Sequence, residues 1–308
     1  MSLHVAVVIV GYRNIGDIAR CLTALEKSTY RDFEIVVCEN GGAEAFAALQ
    51  SQLPQTLLNG QPIRLIMASG NGGYARGINI AMTESRDADA WWILNPDTEP
   101  SPGAMTALVR RAAQGYDAVG GPIHFPTGEI QSFGGVWSSW RAKPISLGYG
   151  APKDTKPDIA LIEGTQNYLS GASMFVGRTF LAVAGPMEER YFLYCEEVDW
   201  FLRAGRRGLR LGFAPDATVV HHQGTTTGYG RSLGLRSGRA VCLDERNKML
   251  LTRTFFPTRL PVAACMALIR LAGRYARRGA FVQIGFGMAG WLMGLLGQSG
   301  IPRWARSS

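Results

Sequence analysis

The feature that most constrains this chain is an alternation, through its first part, of short apolar runs with stretches patterned for helix. VAVVIV precedes a helical stretch over residues 17–26, FEIVVC one over 43–52, PIRLIM one over 74–83, and AWWIL one over 102–113. Such alternation predicts βαβ units wound around a mostly parallel sheet. Continuous rather than alternating hydrophobicity in runs like VAVVIV predicts strands covered on both faces. In such sheets ligands gather at the carboxyl ends of the strands. Polar residues follow each run there: Arg13 and Asn14, Glu39 and Asn40, Asn71, then Asn95 and Asp97.

Residues 120–164 are rich in Gly, Pro, Ser and Trp and read as a loop-rich insertion over the site. Regularity returns with SGASMFVG as a strand, CEEVDWFLRAGRRG as a helix ended by Gly208, and LRLGFAP and TVVHH as strand segments. The tail reads as helical, broken at Pro257, Pro261 and Gly279, which divides the chain into a catalytic domain over 1–238 and a helical, basic extension over 239–308. The most apolar stretch, 281–296, is shorter than the roughly 20 residues that span a bilayer and contains several glycines, so it reads as a buried or interfacial helix.

Charge is divided along the chain. From Arg203 onward there are 17 Lys and Arg against 3 Asp and Glu; before it there are 15 against 21. The split predicts an acidic site in the first part and an anionic partner for the second. Membrane phospholipid, a pyrophosphate-linked acceptor and nucleic acid share that chemistry, with a plain solvated surface as the alternative; no aromatic-basic motif of a nucleic-acid module is present, so nucleic acid is not expected. RLAGRYARRG ahead of the apolar stretch suits peripheral attachment to an anionic leaflet. Five scattered cysteines fit reduced core thiols, and no charged leader opens the chain, which together predict a cytoplasmic protein.

Three groups could carry chemistry. Asp97 in WWILNPDTE follows a buried strand, where a carboxylate can meet Mg²⁺ or Mn²⁺ on phosphates, although Asx-Pro-Asp is also turn chemistry. Glu196, Glu197 and Asp199 crowd the start of a helix, where acids also favour the helix dipole; in an apolar place such carboxylates acquire the raised pKa of a general base. His221 and His222 end a strand and point to opposite faces, so only one can join Asp97 in a mixed N/O metal site. NGGYARGIN is a Gly-rich turn or a nucleotide-approaching loop, and its spacing matches neither the dinucleotide nor the P-loop fingerprint.

Taken in order, VIVGYRN, VVCENGG, ASGNGGYARGIN, ILNPDTE, LSGASMFVGR, YFLYCEEVDWFLRAGRRG and APDATVVHHQG resemble glycosyltransferase family 2, in its bacterial rhamnosyltransferase-like branch. The resemblance implies an α/β GT-A fold and inverting transfer of a sugar, with L-rhamnose from dTDP-rhamnose favoured among dTDP-, UDP- and GDP-sugar donors. The acceptor it implies is a hydroxyl of a glycan or lipid-linked saccharide in cell-surface polysaccharide synthesis. By the same resemblance Arg13, Asn71 and Arg76 hold the donor, Glu39 the nucleoside, and Asp97 the metal and diphosphate. Glu197 is the base and His221 a metal ligand. Two departures stand out: Asn95 occupies the place of the first acid of an Asp-X-Asp motif, and Glu197 replaces a commoner Asp, which leaves Glu196 and Asp199 as alternative bases. A noncatalytic nucleotide-sugar-binding scaffold is the competing reading.

Overall fold

The structure, a computed structural model, describes residues 3–222 and 236–302. The expected strands form: β1 (Val5–Gly11), β2 (Phe33–Glu39), β3 (Ile63–Met67) and β4 (Ala90–Leu94), each followed by a helix or turn. The intervening helices are α1 (Ile15–Leu25), α2 (Ala43–Gln52) and α3 (Tyr74–Glu84); β5 (Thr98–Pro100) precedes α4 (Ala104–Ala112). The stretch expected to be loop-rich is organised into β6 (Ala118–Gly120), β7 (Ile123–His124), β8 (Ile130–Ser132), the hairpin β9 (Gly135–Ser138) and β10 (Lys143–Ser146), and α5 (Ile159–Thr165). Then come β11 (Ser173–Gly177), α6 (Arg178–Ala184), a 3-10 turn (Glu189–Tyr191), α7 (Glu196–Arg206), β12 (Leu211–Phe213) and β13 (Val219–His221). The tail forms α8 (Gly238–Phe255), α9 (Leu260–Ala276) and α10 (Phe281–Leu295).

Seven strands make the main sheet in the order β12-β6-β11-β4-β1-β2-β3. β1 to β4 run parallel and β11 runs antiparallel to β4 and β6. Side-chain alternation assigns each face its own core. Ala6, Val8 and Val10 of β1 pack with Ile78 of α3, Phe180 of α6, Trp200 of α7 and Met249 of α8. Val5, Val7 and Ile9 pack with Ile18 of α1, Leu49 of α2 and Met105 of α4. Two-sided burial is why β1 is apolar at nearly every position, each Val or Ile contributing about 1.5–3 kcal/mol.

A second sheet, β5-β13-β7-β8, caps the carboxyl edge of the first. Its antiparallel pairing of β13 with β5 sets His221 opposite Thr98, next to Asp97. Gln223 and Gly224, the end of the expected His segment, lie outside the described residues.

One tail expectation needs correction, and the buried-or-interfacial alternative for the apolar stretch is narrowed. Pro261 does not break a helix; it sits in the first turn of α9, where its missing N–H has no intrahelical acceptor to lose. The apolar stretch forms α10, which is one-sided rather than buried. Gly290 and Gly294 lie against the Cys242 and Arg246 carbonyls of α8, positions where a Cβ would collide. The opposite face leaves Phe281 70%, Val282 67% and Leu296 64% exposed. None of the described helices is long and apolar enough to cross a membrane.

Candidate active site

The parallel strands end at one edge, and the residues just beyond them build the site. After β1 the chain turns through Arg13, a non-glycine residue at φ +55°. The turn is held by Glu39 at the end of β2, whose Oε1 accepts from the backbone N–H of Arg13 (3.0 Å) and Gly41 (2.7 Å). Arg13 Nε in turn donates to the Gly41 carbonyl. Gly11 and Gly41 leave room for the Glu39 carboxylate, since a Cβ on either would press on it. Glu39 is 1% exposed, yet Oε2 has no partner among the described residues. An acceptor buried in this way costs stability unless a ligand donates to it.

The Gly-rich segment after β3 closes the next side. Asn71 Oδ1 caps the Gly73 N–H (3.2 Å), and Arg76 Nη2 donates to Ser69 Oγ. Gly73, at φ +91°, passes so close to the Phe192 carbonyl that a Cβ has no space, and the Tyr74 N–H donates to that same carbonyl. The loop is thus tied to the segment that introduces the acidic helix.

Tyr74, which sequence reasoning passed over, joins the parts. Its hydroxyl donates to Asn95 Oδ1 (2.8 Å) and lies 3.1 Å from the Gly171 carbonyl. Burial raises its pKa well above the ordinary value, and the charges of Glu196, Glu197 and Asp97 add to that shift. Acidic helix and aspartate turn therefore converge on one phenol. The only sequence cue was Tyr next to the Asn-Gly-Gly turn, which by itself reads as core packing.

Asp97 Oδ1 lies 3.2 Å from His221 Nε2. Burial works against the Asp97 charge, but the hydrogen bond and charge of His221 prevail and hold its carboxyl below the usual range. His221 Nδ1 meets the Gln131 side-chain amide at 3.1 Å, which orients the ring so that Nε2 faces Asp97, as an outer-shell partner orients a metal-ligating imidazole. His222 points the other way, to Glu99 at 2.6 Å. Asn95 Nδ2 comes within 3.5 Å of His221 Nε2. One carboxylate and one imidazole fit a divalent cation that takes its remaining ligands from phosphate and water oxygens. No group of three or more His, Cys, Asp or Glu side chains is poised for a metal among the described residues.

The acids of α7 separate by helix phase. Glu196 is 3% exposed with Oε2 unpartnered; burial, then the charge of Glu197, raises its pKa. Glu197 is half-buried beside Gly171, and its pKa is raised by burial with Asp244 adding to it. Asp199 differs from both. Its oxygens accept from Arg203 Nε (2.6 Å), Tyr191 Oη (2.8 Å) and Arg190 Nη2 (3.4 Å), so the acid expected as an alternative base is committed to a structural ion-pair cluster.

The entry to α7 is strained: Phe192, Tyr194 and Cys195 all have φ near +70°. Such backbone persists only where its surroundings over-determine it. Here α8 does so. Asn247 Nδ2 donates to the carbonyls of Tyr191 (2.9 Å), Leu193 (2.8 Å) and Tyr194 (3.0 Å), and Arg246 Nη2 donates to Tyr191 (2.8 Å). Asn247 had no sequence signal beyond being polar within a helical pattern.

This edge, with the open Glu39 carboxylate and the Asp97–His221 pair, is the candidate site of an α/β protein. The chain belongs to glycosyl transferase family 2, whose model matches residues 6–170. It is 28% identical over 248 residues, 72% of this chain and 77% of the relative, to the N-acetylglucosaminyl-diphospho-decaprenol L-rhamnosyltransferase of Mycobacterium tuberculosis. It is 24% identical over 82% of its length to a low-salt glycan biosynthesis hexosyltransferase of Haloferax volcanii, of which it covers 76%. Among solved structures, GalNAc-T7 with UDP, GalNAc and Mn²⁺ aligns with 96% of the chain at a TM-score of 0.65 and 15% identity; this chain spans 57% of its length. The mannosyltransferase of Pyrobaculum calidifontis in complex with GDP-Man and Mn²⁺ aligns with 97% of this chain and 88% of its own, at a TM-score of 0.57 and 15% identity. The fold is GT-A, and the protein is a glycosyltransferase.

Proposed function

We propose that this enzyme transfers a hexosyl group, L-rhamnose from dTDP-rhamnose, to a hydroxyl of a lipid-linked saccharide, with inversion at the anomeric carbon. The observation that carries the reading is the Asp97–His221 pair, 3.2 Å apart at the carboxyl edge of the sheet, with Asn95 beside it tied through the Tyr74 hydroxyl to the Gly171 turn that Glu197 flanks. Similarity to an L-rhamnosyltransferase that acts on a diphospho-decaprenol saccharide supports the sugar and the acceptor.

In this reading Glu39 receives the nucleoside through its unpartnered Oε2, and the Arg13, Asn71 and Arg76 turns enclose the donor. Asp97 and His221 would hold Mg²⁺ or Mn²⁺, as suits their pairing and the Mn²⁺ bound in both structural neighbours. When bound, the cation neutralises the departing diphosphate. Glu197 takes the proton of the acceptor hydroxyl as that oxygen bonds to the anomeric carbon and the nucleoside diphosphate leaves. Its raised pKa suits a proton acceptor near neutrality, and partial exposure gives an acceptor access that Glu196 lacks. The exposed apolar faces of α9 and α10, with Arg274, Arg277 and Arg278 between them, support a peripheral seat on an anionic leaflet.

The test is transfer from dTDP-rhamnose to a rhamnose-accepting diphospholipid saccharide with Mn²⁺ or Mg²⁺, the product anomer read by NMR. Asp97→Ala and Glu197→Ala should each abolish transfer while retaining the wild-type circular dichroism spectrum. Full activity in both variants would overturn the assignment.

A further inference from the structure

Between the β9–β10 hairpin and helices α8 and α9 lies a cavity of about 80 Å³, lined by Lys143, Asp244, Glu245, Lys248, Arg270 and Arg274. A water molecule takes roughly 30 Å³ in the liquid, so this space suits one phosphate group. Part of its charge is balanced internally. Lys248 Nζ lies 2.9 Å from both Asp244 and Glu245, and Arg236 reaches Asp244 at 2.8 Å. Lys143, Arg270 and Arg274 form no ion pair with a carboxylate among the described residues, so the walls carry a surplus of positive charge.

Arg270 is the most informative wall. Its Nη2 donates to the Ala142 carbonyl at the hairpin tip (3.2 Å), where Ala142 is held at φ +42°. Its Nη1 is buried without any acceptor among the described residues. A guanidinium N–H in that state is stabilised by an anionic oxygen that enters the cavity. Burial and the nearby Arg274 and Arg141 charges work to lower the Arg270 pKa, against the opposing pull of Glu245 and Asp244.

One turn along α8 from Asp244, Asn247 is bonded to the Tyr194 carbonyl at the entry to α7, so the cavity stands near the head of the acidic helix on one side and near apolar surface on the other. Asp244, on its wall, is near enough to Glu197 to help raise that carboxyl's pKa, and the charges of Asp244 and Lys248 both reach Cys195 at the head of α7. On α9, Ile269 next to Arg270 is 65% exposed. An amphiphile with its phosphate in this cavity can lay its chain outward and its sugar inward.

We propose that the cavity walled by Lys143, Lys248, Arg270 and Arg274 binds one phosphate of the acceptor's diphosphate linkage and so delivers the acceptor sugar to Glu197. The assignment rests on the glycosyl-transfer reading for the direction in which the sugar points. Geranyl diphosphate is the probe for the full chain, titrated calorimetrically without added divalent metal, alongside octyl glucoside, which has an alkyl chain and a sugar but no phosphate. Geranyl diphosphate should bind the wild type and octyl glucoside should not compete. Arg270→Gln with Arg274→Gln should weaken geranyl diphosphate roughly a hundred-fold or more, since two charged hydrogen bonds worth about 1.5–3 kcal/mol each are lost. Arg270→Lys should recover part of that loss, and dTDP affinity with Mn²⁺ should stay within about two-fold because these residues lie apart from the donor turns. If the double variant fails to fold, Arg274→Gln alone, at an exposed position, should still weaken the probe several-fold.

Unchanged geranyl diphosphate binding in the variants overturns the proposal. So does an equal loss of flotation with phosphatidylglycerol vesicles while geranyl diphosphate binding persists, because the cavity then serves bilayer headgroups. Failure of the wild type to bind dTDP-rhamnose would instead count against the transferase reading, leaving the geranyl diphosphate result to judge the cavity.

Discussion

Replacing Asn247 with Ala tests whether α8 holds the acidic helix α7 in place. The Asn247 side chain is fully buried, and its Nδ2 lies within 3.0 Å of three carbonyls, those of Tyr191, Leu193 and Tyr194. An amide nitrogen has two hydrogens, so one contact is shared and the three amount to about two full bonds. Arg246 continues to serve the Tyr191 carbonyl in the variant. Those of Leu193 and Tyr194 lose their side-chain donor. At about 1–3 kcal/mol for each stranded acceptor, partly offset by water entering the space left, the expected loss is about 2–4 kcal/mol. That is comparable to the strain of the left-handed residues Phe192, Tyr194 and Cys195, about 1–3 kcal/mol each. The segment should therefore relax and carry Glu196 and Glu197 with it. Urea denaturation should show the stability loss without a change in m-value. Transfer at saturating donor and acceptor should fall roughly 100-fold, as a displacement of about 1 Å at a reacting group can cost. Asn247→Asp has the same shape but no donor, sets a carboxylate against the same carbonyls, and should lose at least as much. A wild-type rate with stability within about 0.5 kcal/mol in Asn247→Ala would refute the reasoning.

Three further outcomes are expected. Because burial and Glu197 raise the Glu196 pKa above its unfolded value, ionisation favours the unfolded chain as pH rises past the ordinary carboxylate range; Glu196→Gln should therefore gain Tm over wild type, more at pH 8 than at pH 5, whereas a pH-independent difference would contradict this. Asp97→Asn should abolish the Mn²⁺-dependent part of the thermal stabilisation by dTDP, and an undiminished metal effect would remove Asp97 from the ligand set. Gly73→Ala, facing the Phe192 carbonyl at φ +91°, should cost several kcal/mol, on the order of other strained backbone sites, while Gly16→Ala in α1, where the added methyl meets nothing within 4 Å, should be neutral or stabilising in the same denaturation assay.

What could be read from the sequence follows the range of each interaction. Strands β1 and β4 were legible because two-sided burial imprints an unbroken apolar run, β3 despite being an edge strand with Arg64 and Met67 exposed, and the polar successors of β1 to β4 because parallel topology brings strand ends to one edge. The choice between His221 and His222 was posed by alternation but decided by the pairing of β13 with β5, more than a hundred residues earlier in the chain. Glu196, Glu197 and Asp199 look alike as first-turn acids. What separates them is their surroundings: Arg190, Arg203 and Tyr191 surround Asp199, and the arginines come from outside the first turn. Tyr74 and Asn247 were missed for a similar reason, since their partners lie in distant segments and nothing local distinguishes them from packing residues.

The adjacent histidines bear on how firmly β13 is registered. Sliding this strand by one residue would bring the imidazole of His222 to the place of His221, so Asp97 would still face a histidine. The same slip would put Val220 in the place of Val219, now 1% exposed, so the Val-Val-His-His run reads alike in both registers. Register is therefore set outside this run, and Val219 serves the strand as a buried apolar anchor on the same face as His221. Weakening that anchor with Val219→Ala should give a protein whose loss of stability outruns its loss of turnover.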